Sequence, residues 1–311
     1  MAQTRPIRIA TRGSRLALWQ AGAVRDALTR AHGLDPAAIE IVAIKTSGDR
    51  IRDRSLAEAG GKGLFTKEIE SALTAGDVDI AVHSAKDMET VLPEGLTIGA
   101  VLARDDARDA LVARAASIEA LPQGALIGSA SVRREALLKR ARPDLKFALL
   151  RGNVPTRVKR VDAGDFDATL LAAAGLKRLG LEDRISALLP LEDFLPACGQ
   201  GAVAVECRVD DARMRDLLAA IDHRETAAAV ACERAFLAAL AGSCRTPIAG
   251  HARVEDERLR FDGMLLSEDG REFHESGLSG AAADAVEIGR TAGEEIRRNA
   301  PAAFLKRLGI A

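Results

Sequence analysis

The chain has 311 residues and a formal net charge of −1, with 44 Lys and Arg against 45 Asp and Glu. That balance argues against a general affinity for nucleic acid or anionic membranes, leaving only local patches open. Hydrophobic residues at 48% beside charged residues at 29% exclude a mainly disordered chain, and aromatic residues at 3% with no Tyr argue against stacking platforms for single-stranded nucleic acid.

At roughly 100–200 residues per domain, the length predicts two or three domains. Cysteines stand at 198, 207, 232 and 244, with no C-x-x-C pair and no His at zinc spacing, so neither a disulfide framework nor a metal site is expected. The N-terminal run has no apolar stretch of signal-peptide length, and no run of about 18 apolar residues suggests a membrane span. The expectation is a soluble cytoplasmic α/β protein with reduced thiols.

In chain order, Ile7–Thr11 reads as a strand. Ser14 caps a helix over Arg15–Ala31 whose face is Leu16, Trp19, Ala23 and Ala27. Strands at Ile39–Ile44, Asp79–His83 and Leu96–Leu102, with a helix at Phe65–Ala75, continue a βαβ grammar that predicts a largely parallel sheet. The pattern restarts after Arg104–Asp109. Strands follow at Ala110–Ala113, Leu126–Gly128, Phe147–Leu150 and Ala168–Leu171, with helices at Val132–Ala141, Pro155–Ala163 and Ala173–Leu179. Gly199–Glu206 reads as an apolar strand returning to the first unit, and helices follow at Asp211–Ile221 and Thr226–Ala241. Three strands at Ile248–Val254, Leu259–Leu266 and Arg271–Glu275, then a helix at Ala283–Arg298, predict a small α+β domain.

The chemistry gathers where strands give way to helices. Arg12 and Ser14 follow the first strand, His83, Ser84, Lys86 and Asp87 the third. Ser129, Ser131, Arg133 and Arg134 follow a strand of the second unit, and Arg151, Asn153 and Arg157 follow the next. Ligands of open α/β sheets bind outside the carboxyl ends of strands, where helix N-termini favour anions. From Ser131 to Arg160 ten Lys and Arg face only Glu135 and Asp144. Cations at a helix start oppose its dipole, so an anionic ligand accounts for Arg133, Arg134, Arg151 and Arg157 better than stability does; the others read as solvated faces.

The loop Ala57–Phe65 carries Lys62 between glycines without Walker spacing, and reads as either a lid or an ordinary loop. Asp87, among cations, reads either as a helix cap or ion-pair partner, or as a stabiliser of a cationic intermediate. His83 ends a buried strand and reads as a packed core histidine rather than a base. Cys207 and Cys232 sit in apolar patterns as core thiols, and Cys198 is ambiguous. Cys244 lies in a loop beside Arg245, a setting that favours a nucleophile.

Taken together, IATRGSRLALWQ, GGKGLFTKEIE, DIAVHSAKD, ASVRRE, LRGNVPTR, LAAAGLKRLGL, LPACGQGAVAVECR and GSCRTPI resemble the porphobilinogen deaminase family, nearly end to end. The resemblance implies two α/β domains like type II periplasmic binding proteins with a cleft between them. Residues 1–102 with 199–221 would form the first and 103–198 the second. A small α+β domain of a three-stranded antiparallel sheet with helices would occupy 222–311. It implies a transferase that joins four porphobilinogen units head to tail on a dipyrromethane cofactor held by a thioether to Cys244, releasing four ammonia molecules and, after hydrolysis, hydroxymethylbilane.

By the same resemblance Asp87 holds pyrrole N–H groups, stabilises positive charge and helps proton transfer. Arg12, Ser14, Ser129, Ser131, Arg133, Arg134, Arg151, Arg157 and Arg178 bind cofactor or substrate carboxylates, Lys62 and Lys86 assist, and Gln20 and Gln200 match cleft positions. It implies a monomer. Glu58, Glu89, Ala130 and Ser243 depart from the common pattern, and none removes a residue the chemistry requires. The rival readings are a non-enzymatic anion-binding protein, a nucleic-acid binder and a Cys-dependent hydrolase. No His has a sequence context that pairs it with Cys244.

Overall fold

The computed structural model describes residues 5–50, 63–242 and 246–310. In chain order its principal elements are β1 (Ile7–Arg12), α1 (Arg15–His32), β2 (Ile39–Ile44), α2 (Ser47–Arg50), α3 (Lys67–Thr74), β3 (Ile80–Ser84) and β4 (Leu96–Val101). Next come β5 (Asp109–Ala113), β6 (Leu126–Ser129), α4 (Val132–Ala141), β7 (Lys146–Leu149), α5 (Val154–Asp162), β8 (Ala168–Ala172), α6 (Ala173–Arg178) and β9 (Ala187–Leu188). The chain ends with β10 (Val203–Arg208), α7 (Ala212–Ala219), α8 (Arg224–Ala239), β11 (Ile248–Glu255), β12 (Arg258–Leu266), β13 (Phe273–Ala281), α9 (Ala285–Asn299) and α10 (Ala302–Arg307).

These elements fall into two compact units. The first holds the described residues of Met1–Ile51, Gly61–Arg104 and Ala202–Ala227, and the second those of Asp105–Gly201 and Ala228–Ala311. In the first, one sheet runs β2-β1-β3-β10-β4. β1 pairs parallel with β2 and β3, while β10 pairs antiparallel with both β3 and β4. The largely parallel sheet expected from the βαβ grammar is therefore mixed. Late-sequence β10 enters it against the direction of its neighbours, an arrangement local periodicity does not encode.

α1 shows how the sequence builds an element. The Ser14 hydroxyl accepts from the Ala17 N–H at 3.2 Å, and Gly33, at φ 62°, closes the far end by donating its N–H to the Thr29 carbonyl. Between these caps Ala17, Gln20, Ala21, Val24 and Leu28 are buried. The face expected from the sequence (Leu16, Trp19, Ala23, Ala27) is rotated off this one, and Trp19 is 44% exposed. Ala17 and Ala21 let the helix sit close on the strands, and Val24 and Leu28 fill the contact. α1 covers one face of the sheet, with Val24 and Leu28 clustered against Ile80, Val82 and Val205. α3 covers the other, with Ile69 and Leu73 against Ala10 and Ala81.

In the second unit a sheet ordered β7-β6-β8-β5-β9 repeats the same plan. β6 is parallel to β7 and β8, and β5 is antiparallel to β8 and β9. The same unit contains the three-stranded antiparallel sheet β11-β12-β13. Ala249, Met264 and Leu266 of that sheet join the core of Leu137, Ile127 and Leu170. Its other side packs on α8 and α9 through Phe236, Phe261 and Ile296. Gly270, at φ 71°, turns β12 into β13 so close to α4 that a Cβ would meet the Ala136 carbonyl oxygen at 2.2 Å.

Two further boundaries differ from expectation. The strand expected from Gly199 begins at Val203, because Gly199 (φ 77°) and Gly201 (φ 86°) form a turn in the left-handed region. The last strand runs over Phe273–Ala281 rather than Arg271–Glu275. Its HESGLSGA tail lacks apolar alternation because β13 is an edge strand, defined by nine residue pairings to β12.

Candidate functional site

A pocket opens at the carboxyl ends of β1 and β3, lined by Arg12, Ser14, Gln20, Phe65, His83, Ser84 and Asp87 among others. The parallel register of β1 and β3 sets Arg12 and His83, each two residues past the Ala10–Ala81 pair, on one face at its mouth. Gln20, buried in α1, donates to the Ser84 hydroxyl at 2.9 Å and ties the helix to the end of β3. Asp87 ends a short 3-10 turn after β3, exposed to solvent. Lys86 beside it is half-buried.

Arg12 is held from two sides. Its guanidinium lies 4.1 Å from the centre of the Phe65 ring and forms an ion pair with Asp49. Asp49 also accepts from the Thr46 hydroxyl at 2.8 Å. Burial would push the Asp49 carboxyl up, but the hydrogen bonds and charge of Arg12, with Thr46, bring it below the ordinary carboxylate range. Sequence reasoning missed Asp49; its signal is its place in TSGDR, just past the end of β2. Glu89 accepts the Gly63 N–H, fixing the start of the α3 approach.

The second set lies in the second unit. Ser131 caps α4, accepting from the Arg134 N–H at 3.4 Å, and Ser129 accepts from the Ser131 N–H at 3.0 Å. Behind them Asp109, fully buried on β5, receives Arg133 at 2.8 Å, Arg134 at 2.8 and 3.1 Å, and the Gln200 side-chain amide at 2.8 Å. Arg133 and Arg134 are 4% and 7% exposed, and they also donate to the carbonyls of Leu195 and Leu170 at 2.7 and 3.0 Å. Burial alone would raise the Asp109 carboxyl, but the two guanidiniums hold it far below the carboxylate range. The anion that answers these two cations within the chain is thus Asp109, which periodicity could not reveal.

Asn153 caps α5, accepting from the Thr156 N–H at 3.0 Å. Arg157 donates to the Gly152 carbonyl at 2.8 Å, and Arg151 is half-buried just before the helix. Arg178 donates to the Gly201 carbonyl at 2.6 Å and pairs with Asp105 at 3.3 Å; burial lowers its pKa and Asp105 opposes that. The wider basic segment is partly neutralised by ion pairs of Arg142 with Asp144 and of Arg160 with Asp165.

Arg12, Ser14, Gln20 and Asp87 therefore share one pocket, while Ser129, Ser131, Arg133, Arg134 and Gln200 share another part of the chain. Lys62, Cys244, Glu58 and Ser243 lie outside the described residues. Cys198, Cys207 and Cys232 are buried. Burial, with Glu233 adding to it, pushes the Cys232 thiol up to about 12, and burial raises Cys207 as well, so both are inert as nucleophiles.

Residues 7–216 match the family described as "Porphobilinogen deaminase, dipyromethane cofactor binding domain", and residues 227–298 match "Porphobilinogen deaminase, C-terminal domain". The porphobilinogen deaminase of Nitrobacter hamburgensis is 53% identical over 297 residues, covering 95% of this chain and 94% of that protein. Among solved structures, a double mutant of the BvgS VFT2 domain from Bordetella pertussis aligns with TM-score 0.41 and 19% identity, over 71% of this chain and 88% of that one. A TRAP periplasmic solute binding protein from Desulfovibrio salexigens aligns with TM-score 0.42 and 8% identity, over 70% and 72%. Neither likeness is close enough to bear on function.

Proposed function

Because the chain belongs to the porphobilinogen deaminase family, we propose that the pocket of Arg12, Ser14, Gln20 and Asp87, with the arginine-bearing strand ends of the second unit, is its substrate- and cofactor-binding machinery. The enzyme is a transferase that joins four porphobilinogen molecules head to tail, releases four ammonia molecules and frees hydroxymethylbilane by hydrolysis. When bound, its dipyrromethane cofactor supplies the nucleophilic pyrrole carbon from which the chain grows, and the attachment point in this reading is Cys244, the cysteine of the GSCRTPI segment.

The residues fit such a group. Each pyrrole unit carries carboxylates, and the described residues offer guanidiniums, hydroxyls and capped helix starts at three strand ends. Arg12, already stacked on Phe65, presents a fork that binds a carboxylate in exchange for Asp49. Ser14 and Ser131 hold the first turns of their helices, so that backbone N–H groups face an incoming anion. Arg133, Arg134 and Gln200 form a rigid floor, fixed by Asp109, beneath Ser129 and Ser131. Arg151, Arg157 and Arg178 extend the cationic surface, and Lys62 and Lys86 assist.

Asp87 has a different task. Ammonia departure leaves positive charge on the pyrrole methylene, and an exposed carboxylate in a pocket with Arg12 stabilises that charge while accepting pyrrole N–H bonds. The observation that carries the reading is this one acid sharing a pocket with Arg12, Ser14 and Gln20. The reading extends to domain limits at 1–102 with 199–221, 103–198 and 222–311, each enclosing one sheet, and to a cytoplasmic monomer.

Its test is stoichiometric. The purified chain, given porphobilinogen, should release four ammonia molecules per hydroxymethylbilane formed. Reversible uptake of porphobilinogen with no ammonia would leave an anion-binding protein instead.

A further inference from the structure

Two residues past Asp87 stands Glu89, half-buried and at a position where the chain departs from the family pattern. The reading above gives it no part. Its carboxylate accepts the Gly63 N–H, ahead of α3 in the chain. A second observation places the same side chain against α3: burial pushes the Glu70 carboxyl up, and the charge of Glu89 is among those that add to the rise. A carboxylate near the start of a helix also answers its dipole.

Gly63 is the root of a tight turn. It sits at φ 66°, in the left-handed region. Its carbonyl accepts the Thr66 N–H at 3.1 Å and the Lys67 N–H at 2.9 Å, which starts α3. The next two residues are held by the loop after β2. The Leu64 carbonyl accepts the Gly48 N–H at 2.7 Å. The Phe65 ring lies so close to Gly48 that a Cβ there would collide with it. The same ring carries the Arg12 guanidinium 4.1 Å from its centre, and Phe65, Arg12 and Asp87 all line the pocket.

At its other end Glu89 belongs to the segment that carries the acid. The turn Ala85–Asp87 closes with the Met88 N–H donating to the Ala85 carbonyl at 3.3 Å, and the Met88 side chain is buried. Met88 thus anchors the backbone between Asp87 and Glu89. One hydrogen bond then joins the segment of Asp87 to the turn whose ring steadies Arg12.

We infer that Glu89 is a positioning residue for substrate binding: by holding the Gly63–Phe65 turn it fixes the Phe65 ring on Arg12, and with it the direction in which the guanidinium meets a substrate carboxylate. Glu89 acts through Phe65 and takes no part in bond making, so its effect falls on binding. The contact needs an acceptor oxygen, which a Gln side chain also supplies. This assignment rests on the deaminase reading and adds a residue to it.

The experiment compares the cofactor-loaded chain with its Glu89→Ala and Glu89→Gln variants on porphobilinogen. Glu89→Ala should raise KM about tenfold, the fold-change that the loss of one such hydrogen bond produces, and leave kcat within about twofold. Glu89→Gln should restore KM to within about threefold of wild type. In Phe65→Leu the route through the ring is already cut, so adding Glu89→Ala should raise KM by less than about twofold more. A KM within threefold of wild type in Glu89→Ala, a loss carried by kcat, a Gln variant as impaired as the Ala variant, or full additivity with Phe65→Leu would each overturn the assignment.

Amide hydrogen exchange at Gly63, read by NMR, tests the contact without turnover. The wild-type amide should be protected, and Glu89→Ala should speed its exchange by about tenfold or more. Should Glu89→Ala fail to fold, the wild-type measurement still decides, because an unprotected Gly63 amide refutes the assignment. If wild type itself forms no hydroxymethylbilane, the deaminase reading fails, and the assignment to this substrate with it. If wild type turns over and Glu89→Ala matches it, only the role of Glu89 fails.

Discussion

Asp109 offers the sharpest test of how the second unit holds its arginines. Its carboxylate is fully buried: Oδ1 accepts three hydrogen bonds from Arg134 and Gln200 between 2.8 and 3.1 Å, and Oδ2 forms an ion pair with Arg133 at 2.8 Å. Asp109→Asn keeps the shape and one acceptor oxygen, but removes the charge and turns an NH₂ group or a lone oxygen toward two guanidiniums. Breaking a buried ion pair from one side costs about 3–5 kcal/mol, because the remaining charge stays buried without compensation. Against a total stability of about 5–15 kcal/mol this is a large fraction. Urea unfolding at neutral pH should show a midpoint shift of that size in the transition of the second unit. The pH dependence carries its own sign. Asp109 is held below its unfolded value, so its stabilisation is complete above the ordinary carboxylate range near pH 3.9 and is lost as pH falls toward the folded value. The gap between wild type and variant should therefore narrow on acidification below about pH 4. A loss under about 1 kcal/mol, the range of exposed pairs, or a gap unchanged to the lowest pH at which wild type folds, would refute the reasoning.

Other substitutions separate binding from chemistry. Asp87→Asn, at an exposed position, should lower kcat by about 10²–10³-fold, the cost typical of losing one transition-state electrostatic contact, with thermal unfolding essentially unmoved. Near-normal tetrapyrrole output would remove Asp87 from the chemistry. Asp49→Asn releases Arg12 from its ion pair and should change stability by less than about 1 kcal/mol, as half-exposed pairs do. Its effect should fall on KM for porphobilinogen, raised several-fold because Arg12 is no longer held in place, and an unchanged KM would mean that Phe65 alone positions the guanidinium.

Much of this was legible from the chain alone because helix starts announce themselves. Ser14 caps the helix the sequence assigns to it, and Ser131 and Asn153, read from the sequence as anion-site residues, cap α4 and α5. Ile39–Ile44 and Val132–Ala141 fall on the expected residues because their apolar periods are unambiguous. What the sequence hid is non-local. The antiparallel insertion of β10 depends on pairing across more than a hundred residues. The buried face of α1 was decided by its packing on the sheet, which turns Trp19 outward and Val24 and Leu28 inward. Asp109 and Asp49, which hold the arginines, carry no local pattern, since a carboxylate's partner is chosen by the fold. His83 read as a packed core histidine, and it is buried, although the residue stands among those that line the pocket.

The most direct measurement is intact mass spectrometry of the purified chain with peptide mapping across Cys244, before and after incubation with porphobilinogen. The expected result is a covalent adduct of two condensed pyrrole units on the Cys244 peptide, either present at purification or acquired on incubation, and absent from Cys244→Ala. A chain that stays unmodified after incubation, or that carries the adduct on another cysteine, would contradict the assignment of Cys244 as the cofactor anchor and the primed polymerisation built on it.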